Sequence, residues 1–224
     1  MRVRPRTSPH STPLQSPTLT EEYSLASRGF RRIVGVDEAG RGSWAGPLVA
    51  AAVRLPPPRE DLLLALEGVR DSKQLPPAKR AKLYEVVLRC AIDVGIGVVS
   101  AATIDRVGLA RAGQMAMQWA VEDMAEPPDC LLLDAFTLRG CSLHQRAIVR
   151  GDAHSLSIAA ASIVAKVSRD KLMRAADALF PGYGFRENKG YGTESHRRAL
   201  HAMGPCAFHR LSYQPLRLRL ETLL

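Results

Sequence analysis

Four carboxylates stand where apolar runs stop. Asp37 and Glu38 close the run of Ile33, Val34 and Val36, Asp134 closes Leu131 to Leu133, and Asp152 lies just ahead of a long Ala-rich stretch. Carboxylates at the ends of buried strands converge on one edge of a sheet, where hard oxygen ligands suit Mg²⁺ or Mn²⁺ and the ion can also contact a phosphate. With two ions about 3.5 to 4 Å apart, one activates water and the other stabilises the leaving oxygen, which is the chemistry of phosphodiester hydrolysis. Each acid also has a plainer reading, since an Asp after a strand often forms a turn or caps a helix, and Asp152 suits a cap. Neighbours on an ideal strand point to opposite faces, so Asp37 and Glu38 need a bend to share an ion.

The elements that must position these acids are legible as patterns. Residues 33–36 and 47–55 read as buried strands, the second ended by Pro56, Pro57 and Pro58. After Asp71-Ser72-Lys73, residues 77–91 have helical spacing, 94–99 read as a strand, and 109–125 as an amphipathic helix. Residues 154–179 contain neither Gly nor Pro and predict a long central helix with Asp152 or Ser155 near its start. A glycine-rich loop follows over 182–192, and Thr193 starts a helix reaching Met203. Strands that come early and then alternate with helices favour an α/β mixed sheet flanked by helices.

Composition narrows the classes. A chain of 224 residues with 46% hydrophobic content builds one substantial core. Residues 1–29 are rich in Pro, Ser, Thr and Arg without apolar period and read as a disordered leader whose removal costs little, leaving 30–224 as the domain. The longest apolar runs fall short of the roughly 20 residues that cross a bilayer, and no apolar signal core is present, so a cytoplasmic protein is expected. Cys90, Cys130, Cys141 and Cys206 form no C-x-x-C pair, which argues against a zinc ribbon or thioredoxin-type motif. The net charge of +9 points to a polyanionic partner, although +4 of it lies in residues 1–32.

The segment Gly35-Val-Asp-Glu-Ala-Gly-Arg-Gly-Ser-Trp-Ala-Gly-Pro47 resembles the opening motif of bacterial ribonuclease HII. Further matches follow in the family's order: Asp71-Ser-Lys73, Leu133-Asp134, Gly151-Asp152, Ser157 to Asp170, Tyr183-Gly-Phe185, Lys189 to Thr193 and His209-Arg210. The resemblance implies a ribonuclease H-like sheet with a helical C-terminal extension over about 193–224, and makes Asp37, Glu38, Asp134 and Asp152 the ligands of two divalent ions. It implies an RNA/DNA hybrid or a ribonucleotide-containing DNA duplex as substrate, incision 5′ to the ribonucleotide, and 3′-hydroxyl and 5′-phosphate products. In Gly40-Arg41-Gly42 the two glycines lack the Cβ that would keep a backbone from a ribose, so amides of this loop can reach a 2′-hydroxyl, the group that tells RNA from DNA. In the family this loop contacts the ribonucleotide, and the tyrosine matching Tyr191 packs on the next sugar; an ordinary half-buried aromatic is the plainer reading. Lys73, Lys166 and Arg169 are phosphate-contact candidates, the last two spaced to share a helix face, with solvated surface charge as the alternative.

Two departures from the family's pattern bear on substrate preference. Ala135 and Phe136 follow Asp134 where many members carry a glycine, and Arg186-Glu187-Asn188 replaces a more basic run. The apolar spacing of 214–224 fits a closing helix better than a clamp-binding peptide, so no sliding-clamp partner is claimed and a monomer is expected. Two rival enzyme readings fail on context. Gly40-x-Gly42-x-x-Ala45 matches a dinucleotide fingerprint, but that fingerprint needs a helix where residues 47–55 read as a strand. Asp152, His154 and Ser155 lie too close in the chain for a Ser-His-Asp triad. A noncatalytic nucleic-acid binder leaves the acids unexplained, because without cations they would repel phosphate.

Overall fold

In a computed structural model of the chain the described residues are 16–214, 216 and 217. The strands β1 Ile33–Ala39, β2 Leu48–Arg54, β3 Asp93–Val99, β4 Cys130–Asp134 and β5 His144–Ile148 form one sheet in the order β3-β2-β1-β4-β5. β1, β2 and β3 pair antiparallel, whereas β4 runs parallel to β1 and β5 parallel to β4. The helices are α1 Thr20–Ser27, α2 Glu60–Ala65, α3 Pro77–Cys90, α4 Ala101–Val107, α5 Leu109–Glu122, α6 Leu156–Leu179, α7 Phe185–Asn188 and α8 Glu194–Met203. None among the described residues is long and apolar enough to cross a membrane.

Both faces of the sheet are covered, which is why β1 and β2 read as near-continuous apolar runs. Ala51 and Val53 pack with Ala159, Ala160 and Ile163 of α6 and with Val87 of α3 on one side. Val34, Val36, Ala50 and Ala52 meet Ala112, Ala116 and Met117 of α5 on the other. Small residues bring α6 against β1: a Cβ on Gly35 would lie 2.2 Å from the Ser157 carbonyl carbon. Gly35 and Asp37 share a strand face, so the close approach that demands glycine also sets Asp37 against α6.

The expected leader is corrected over its described part. Residues 20–27 form α1, with Leu25 fully buried and Glu22 only 3% exposed. Composition missed it because α1 has no apolar stripe. It is held instead by Leu25, packed among Ile33, Leu132 and Ile158, and by a buried carboxylate. The Glu22 Oε1 atom accepts from Ser155 Oγ at 2.7 Å and from the Ser157 amide at 2.9 Å, covering an otherwise unpaired donor at the start of α6. Thr18 adds a short parallel bridge to Ser155. The first 15 residues of the leader lie outside the described residues.

β5 has no sequence signal, since His144-Gln-Arg-Ala-Ile148 does not alternate and its side chains are only partly buried, as suits an edge strand. Thr193 caps α8 as expected, accepting from the His196 amide. Beyond Met203 the chain folds back so that Phe208 and Arg210 meet the β1–β2 connection, Gly46 N donating to Phe208 O and Arg210 N to Trp44 O, both at 2.8 Å. The end of the expected C-terminal extension, with the clamp-peptide alternative, lies largely outside the described residues.

Candidate active site

The parallel register aligns Val36 with Leu133, so the next residue on each strand, Asp37 on β1 and Asp134 on β4, brings the two carboxylates to the same end of the sheet. β5 returns the chain to a 3-10 turn, Gly151–Ala153, whose Gly151 amide donates to Asp134 Oδ1 at 2.8 Å. That bond carries Asp152 to the same edge. Ser155, not Asp152, caps α6, its hydroxyl accepting from the Ile158 amide, so Asp152 is free for other work. β1 stays paired with β2 through Ala39, so both Asp37 and Glu38 lie within the paired strand. Asp37 lies toward α6, while Glu38 sits 3.3 Å from Arg41 Nη1.

These acids crowd one another's charge. Burial pushes the Asp37 carboxyl well above the usual carboxylate range, and the charges of Glu38 and Asp134 push it further. Glu38 is raised by burial and Asp134 against the pull of Arg41. Asp152 is pushed up to about 6 by burial, then by Asp71 and Asp134. Burial pulls Lys73 down, but Asp37, Asp71, Asp152 and Asp134 outweigh it and hold the ammonium above its ordinary value. Among the described residues no three His, Cys, Asp or Glu side chains are drawn together closely enough to hold an ion. Hard oxygen donors that share Lys73 among them fit Mg²⁺ or Mn²⁺.

The adjoining loop is built in the opposite way. Gly40 has φ +100°, and a Cβ there would lie 2.1 Å from Arg169 Nε, so both conformation and space demand glycine. Gly42 faces open space. Arg169 was expected on phosphate; instead it is fully buried beneath this loop. Its guanidinium donates to Pro47 O, Ala45 O, Lys189 O and Ser43 Oγ at 2.6 to 3.0 Å. The helical spacing was right, but the residue three positions on from Lys166 faces the core. Arg210 is equally buried and donates to Gly46 O at 2.9 Å and Arg41 O at 3.1 Å, and Tyr213 adds its hydroxyl to Arg41 O at 2.6 Å.

A cleft of about 670 Å³ joins the two regions. It is lined by Asp37, Glu38, Gly40, Arg41, Gly42, Lys73, Asp134, Lys166 and Tyr191, together with Ser72, Arg80 and Phe136. The Tyr191 ring lies 5.6 Å from Lys166 Nζ and 5.5 Å from the Arg169 guanidinium carbon. Lys166 is paired with Asp170 at 2.7 Å. Three contributors went unread in the sequence. Asp71, within the quoted Asp71-Ser-Lys73 run, faces Asp152. Arg80 ties that run to α6, donating to Ser72 O and pairing with Asp170. Phe136 stacks against Arg41 at 5.4 Å. Asp71 carried a signal in its place in the motif and Phe136 in the departure beside Asp134, whereas Arg80 carried none.

The family model for ribonuclease HII matches residues 34–216. A ribonuclease HII of Chloroflexus aggregans is 50% identical over 201 residues, covering 90% of this chain and 95% of the relative. One from Geobacter sulfurreducens is 47% identical over 196 residues, 88% of each chain. Among solved structures, ribonuclease H2 of Pyrococcus horikoshii OT3 superposes with a TM-score of 0.71 at 24% identity, over 85% of this chain and 98% of that one. That likeness extends the fold, a ribonuclease H-like sheet, beyond the range of close sequence similarity. With the family model spanning most of the chain and close relatives matched nearly end to end, this protein belongs to the ribonuclease HII family and is an endoribonuclease of the RNA/DNA hybrid-specific kind.

Proposed function

We propose that this enzyme cuts the RNA strand of RNA/DNA hybrids and incises duplex DNA on the 5′ side of embedded ribonucleotides, leaving 3′-hydroxyl and 5′-phosphate ends. The observation that carries the reading is the shared cleft, in which Asp37, Glu38, Asp134, the Gly40 loop and Tyr191 line one continuous surface, with Asp152 close enough to Asp134 to feel its charge. Asp37, Glu38, Asp134 and Asp152 would hold two divalent ions, Mg²⁺ or Mn²⁺, which supply an activated water and a counter-charge for the leaving oxygen. The rest of the site selects and holds the substrate. Amides of Gly40, Arg41 and Gly42 approach the ribose and read its 2′-hydroxyl, with the open side of Gly42 admitting the sugar. Tyr191 packs on the deoxyribose that follows, so the two together report a junction. Lys73 and Lys166 line the same cleft and contact flanking phosphates. Arg169 is withdrawn from that set.

A monomer is the proposed acting form. The folded unit includes α1 and extends N-terminal to residue 30, because α1 caps the helix that follows Asp152. The test is cleavage of a duplex carrying one ribonucleotide, beside all-DNA and continuous hybrid duplexes, in Mg²⁺, Mn²⁺ or chelator. Metal-dependent incision 5′ to the ribonucleotide with all-DNA intact is expected. Folded protein that binds the duplex but cuts it in neither metal would overturn the reading.

A further inference from the structure

His209 and Arg210 match the family's pattern, yet neither reaches the cleft. Arg210 grips the Gly40 loop from below, as described above. His209 is 2% exposed and His196 of α8 fully buried, and their Nε2 atoms lie 3.0 Å apart. The proton positions in this pair follow from either end. The Tyr191 carbonyl can only accept, so His196 Nδ1, 2.9 Å away, carries a hydrogen and donates. In a neutral ring the His196 Nε2 atom is then an acceptor, which requires His209 Nε2 to be the donor. His209 Nδ1 is left as an acceptor, and the Cys206 amide N–H points at it from 3.0 Å. The reverse arrangement, with His209 Nδ1 donating to Cys206 O at 3.3 Å, would set two lone pairs against each other at Tyr191 O. One chain of hydrogen bonds thus runs from the Cys206 amide through two neutral imidazoles to the backbone of Tyr191. Burial, which pushes His209 down to about 4 and lowers His196 as well, keeps both rings neutral.

Tyr191 is otherwise held by short-range turn bonds, its amide donating to Asn188 O and its carbonyl also accepting from Thr193 N. The preceding residue faces the other half of the cleft, Gly190 O accepting from the amides of Trp44 at 2.7 Å and Ala45 at 3.2 Å. Displacing the Tyr191 backbone therefore moves its ring relative to the Gly40 loop.

We propose that His196 and His209 are positioning residues which, through this imidazole relay, set the placement of Tyr191 and thereby the enzyme's selection of a ribonucleotide junction. The inference rests on the assignment of Tyr191 to the sugar beyond the ribonucleotide. The experiment measures kcat and KM on a duplex with one ribonucleotide and on a continuous hybrid, for wild type, H196F, H196N and Y191A. It also measures ¹⁵N shifts of the imidazoles in wild-type protein. His196 should titrate out as the Nδ1–H tautomer and His209 as Nε2–H. H196F fills the space without a donor and should lower the single-ribonucleotide to hybrid ratio of kcat/KM about tenfold, mainly through KM, the scale on which misplacement of a contact acts. H196N restores an N–H where Nδ1 stood and should recover most of that ratio. Opposite tautomers in the wild type overturn the relay without reference to any variant, so failure of H196F to fold leaves the test intact. Loss of selection in Y191A with none in H196F overturns the relay alone. Selection unchanged in both overturns the assignment of Tyr191 and the relay with it.

Discussion

The two sides of the cleft are finished to different degrees. At the acidic edge the carboxylates raise one another's proton affinity, whereas under the Gly40 loop two buried guanidiniums donate to five backbone carbonyls and the Ser43 hydroxyl, leaving Arg210 Nη2 without a partner among the described residues. Buried polar groups normally find partners, and an unsatisfied charge is retained where a ligand will satisfy it. On the proposed function, the acidic edge is the part left for cations to complete, and the Gly40 loop, whose carbonyls are held by buried guanidiniums, is the part built in advance.

The comparison breaks first at the acids. Asp134→Asn or Asp152→Asn should lower kcat/KM by at least about a hundredfold, the scale of losing one electrostatic stabiliser of a transition state, with the fold kept. Full activity in either variant removes that residue from the site. Stability should move the other way. Asp152 is pushed up to about 6 from its ordinary 3.8, so between those values the folded chain holds a proton that the unfolded chain has released, and above them the folded chain bears a disfavoured charge. That contribution is complete below the lower value and is lost as pH rises through the upper one. Without metal, Asp152→Asn should therefore melt higher than wild type near about pH 8 and not near about pH 4, and Mg²⁺ should narrow the gap for wild type only. An equal offset at both pH values would mean the edge is not repulsive.

The satisfied side is tested by Arg169→Lys. A lysine keeps the charge but cannot reach Pro47 O, Ala45 O, Lys189 O and Ser43 Oγ together, and orphaned buried acceptors cost about 1 to 3 kcal/mol each before relaxation. A loss of about 2 to 4 kcal/mol in denaturant unfolding is expected. Loss of phosphate affinity at unchanged stability would instead return Arg169 to the role its sequence position suggested.

That contrast marks what the sequence could convey. Asp37, Glu38 and Asp134 were legible because they close apolar runs, and a run of Val, Ile and Leu reports burial directly, while Asp152 stood out only by preceding the long Ala-rich stretch. The Gly40 loop was legible through its glycines. Arg169 was misread because spacing along a helix gives a direction relative to Lys166 but not which direction faces the core, and a long cation is buried only where tertiary structure supplies carbonyls. The His196–His209 contact joins residues whose meeting depends on the chain folding back after α8, which no local pattern encodes. The α1 helix was missed for a related reason: its anchor is one carboxylate whose partners lie more than a hundred residues away.

Glu22 bears on the acidic side from behind. Its Oε1 atom accepts from Ser155 and Ser157 at the start of the helix that follows Asp152, while its Oε2 has no partner among the described residues. Glu22→Ala uncaps that end and should cost about 1 to 2 kcal/mol, the range for loss of a helix N-terminal acceptor. If the cap also steadies the Gly151–Ala153 turn, the concentration of Mg²⁺ giving half-maximal activity should rise while kcat at saturating metal changes little. Deletion through Ser27 should do more of the same. Unchanged stability in both variants would restore the view of this segment as a dispensable leader.

The smallest effect lies at Ala135, immediately after the metal-edge Asp134. Its φ of +67° places it in the left-handed region, which costs an L-residue with a Cβ about 1 to 2 kcal/mol and glycine nothing. The conformation is fixed from both sides, since the Ala135 amide donates to Ile148 O at 2.9 Å and the Asp134 carbonyl accepts from Phe136 N at 2.9 Å. Glycine at this position, where many family members carry it, would relieve the strain but add backbone freedom to the unfolded chain, so Ala135→Gly should gain no more than about 1 kcal/mol. The more telling readout is substrate preference, because the same turn sets Phe136 against Arg41, whose backbone belongs to the ribose-reading loop. A stabilised variant with an unchanged ratio of single-ribonucleotide to hybrid cleavage would show that the rigid side of the cleft is insulated from the strained one. A shift in that ratio would show that strain beside Asp134 is transmitted through Phe136 and Arg41, and that the two sides are less separate than their hydrogen bonding implies.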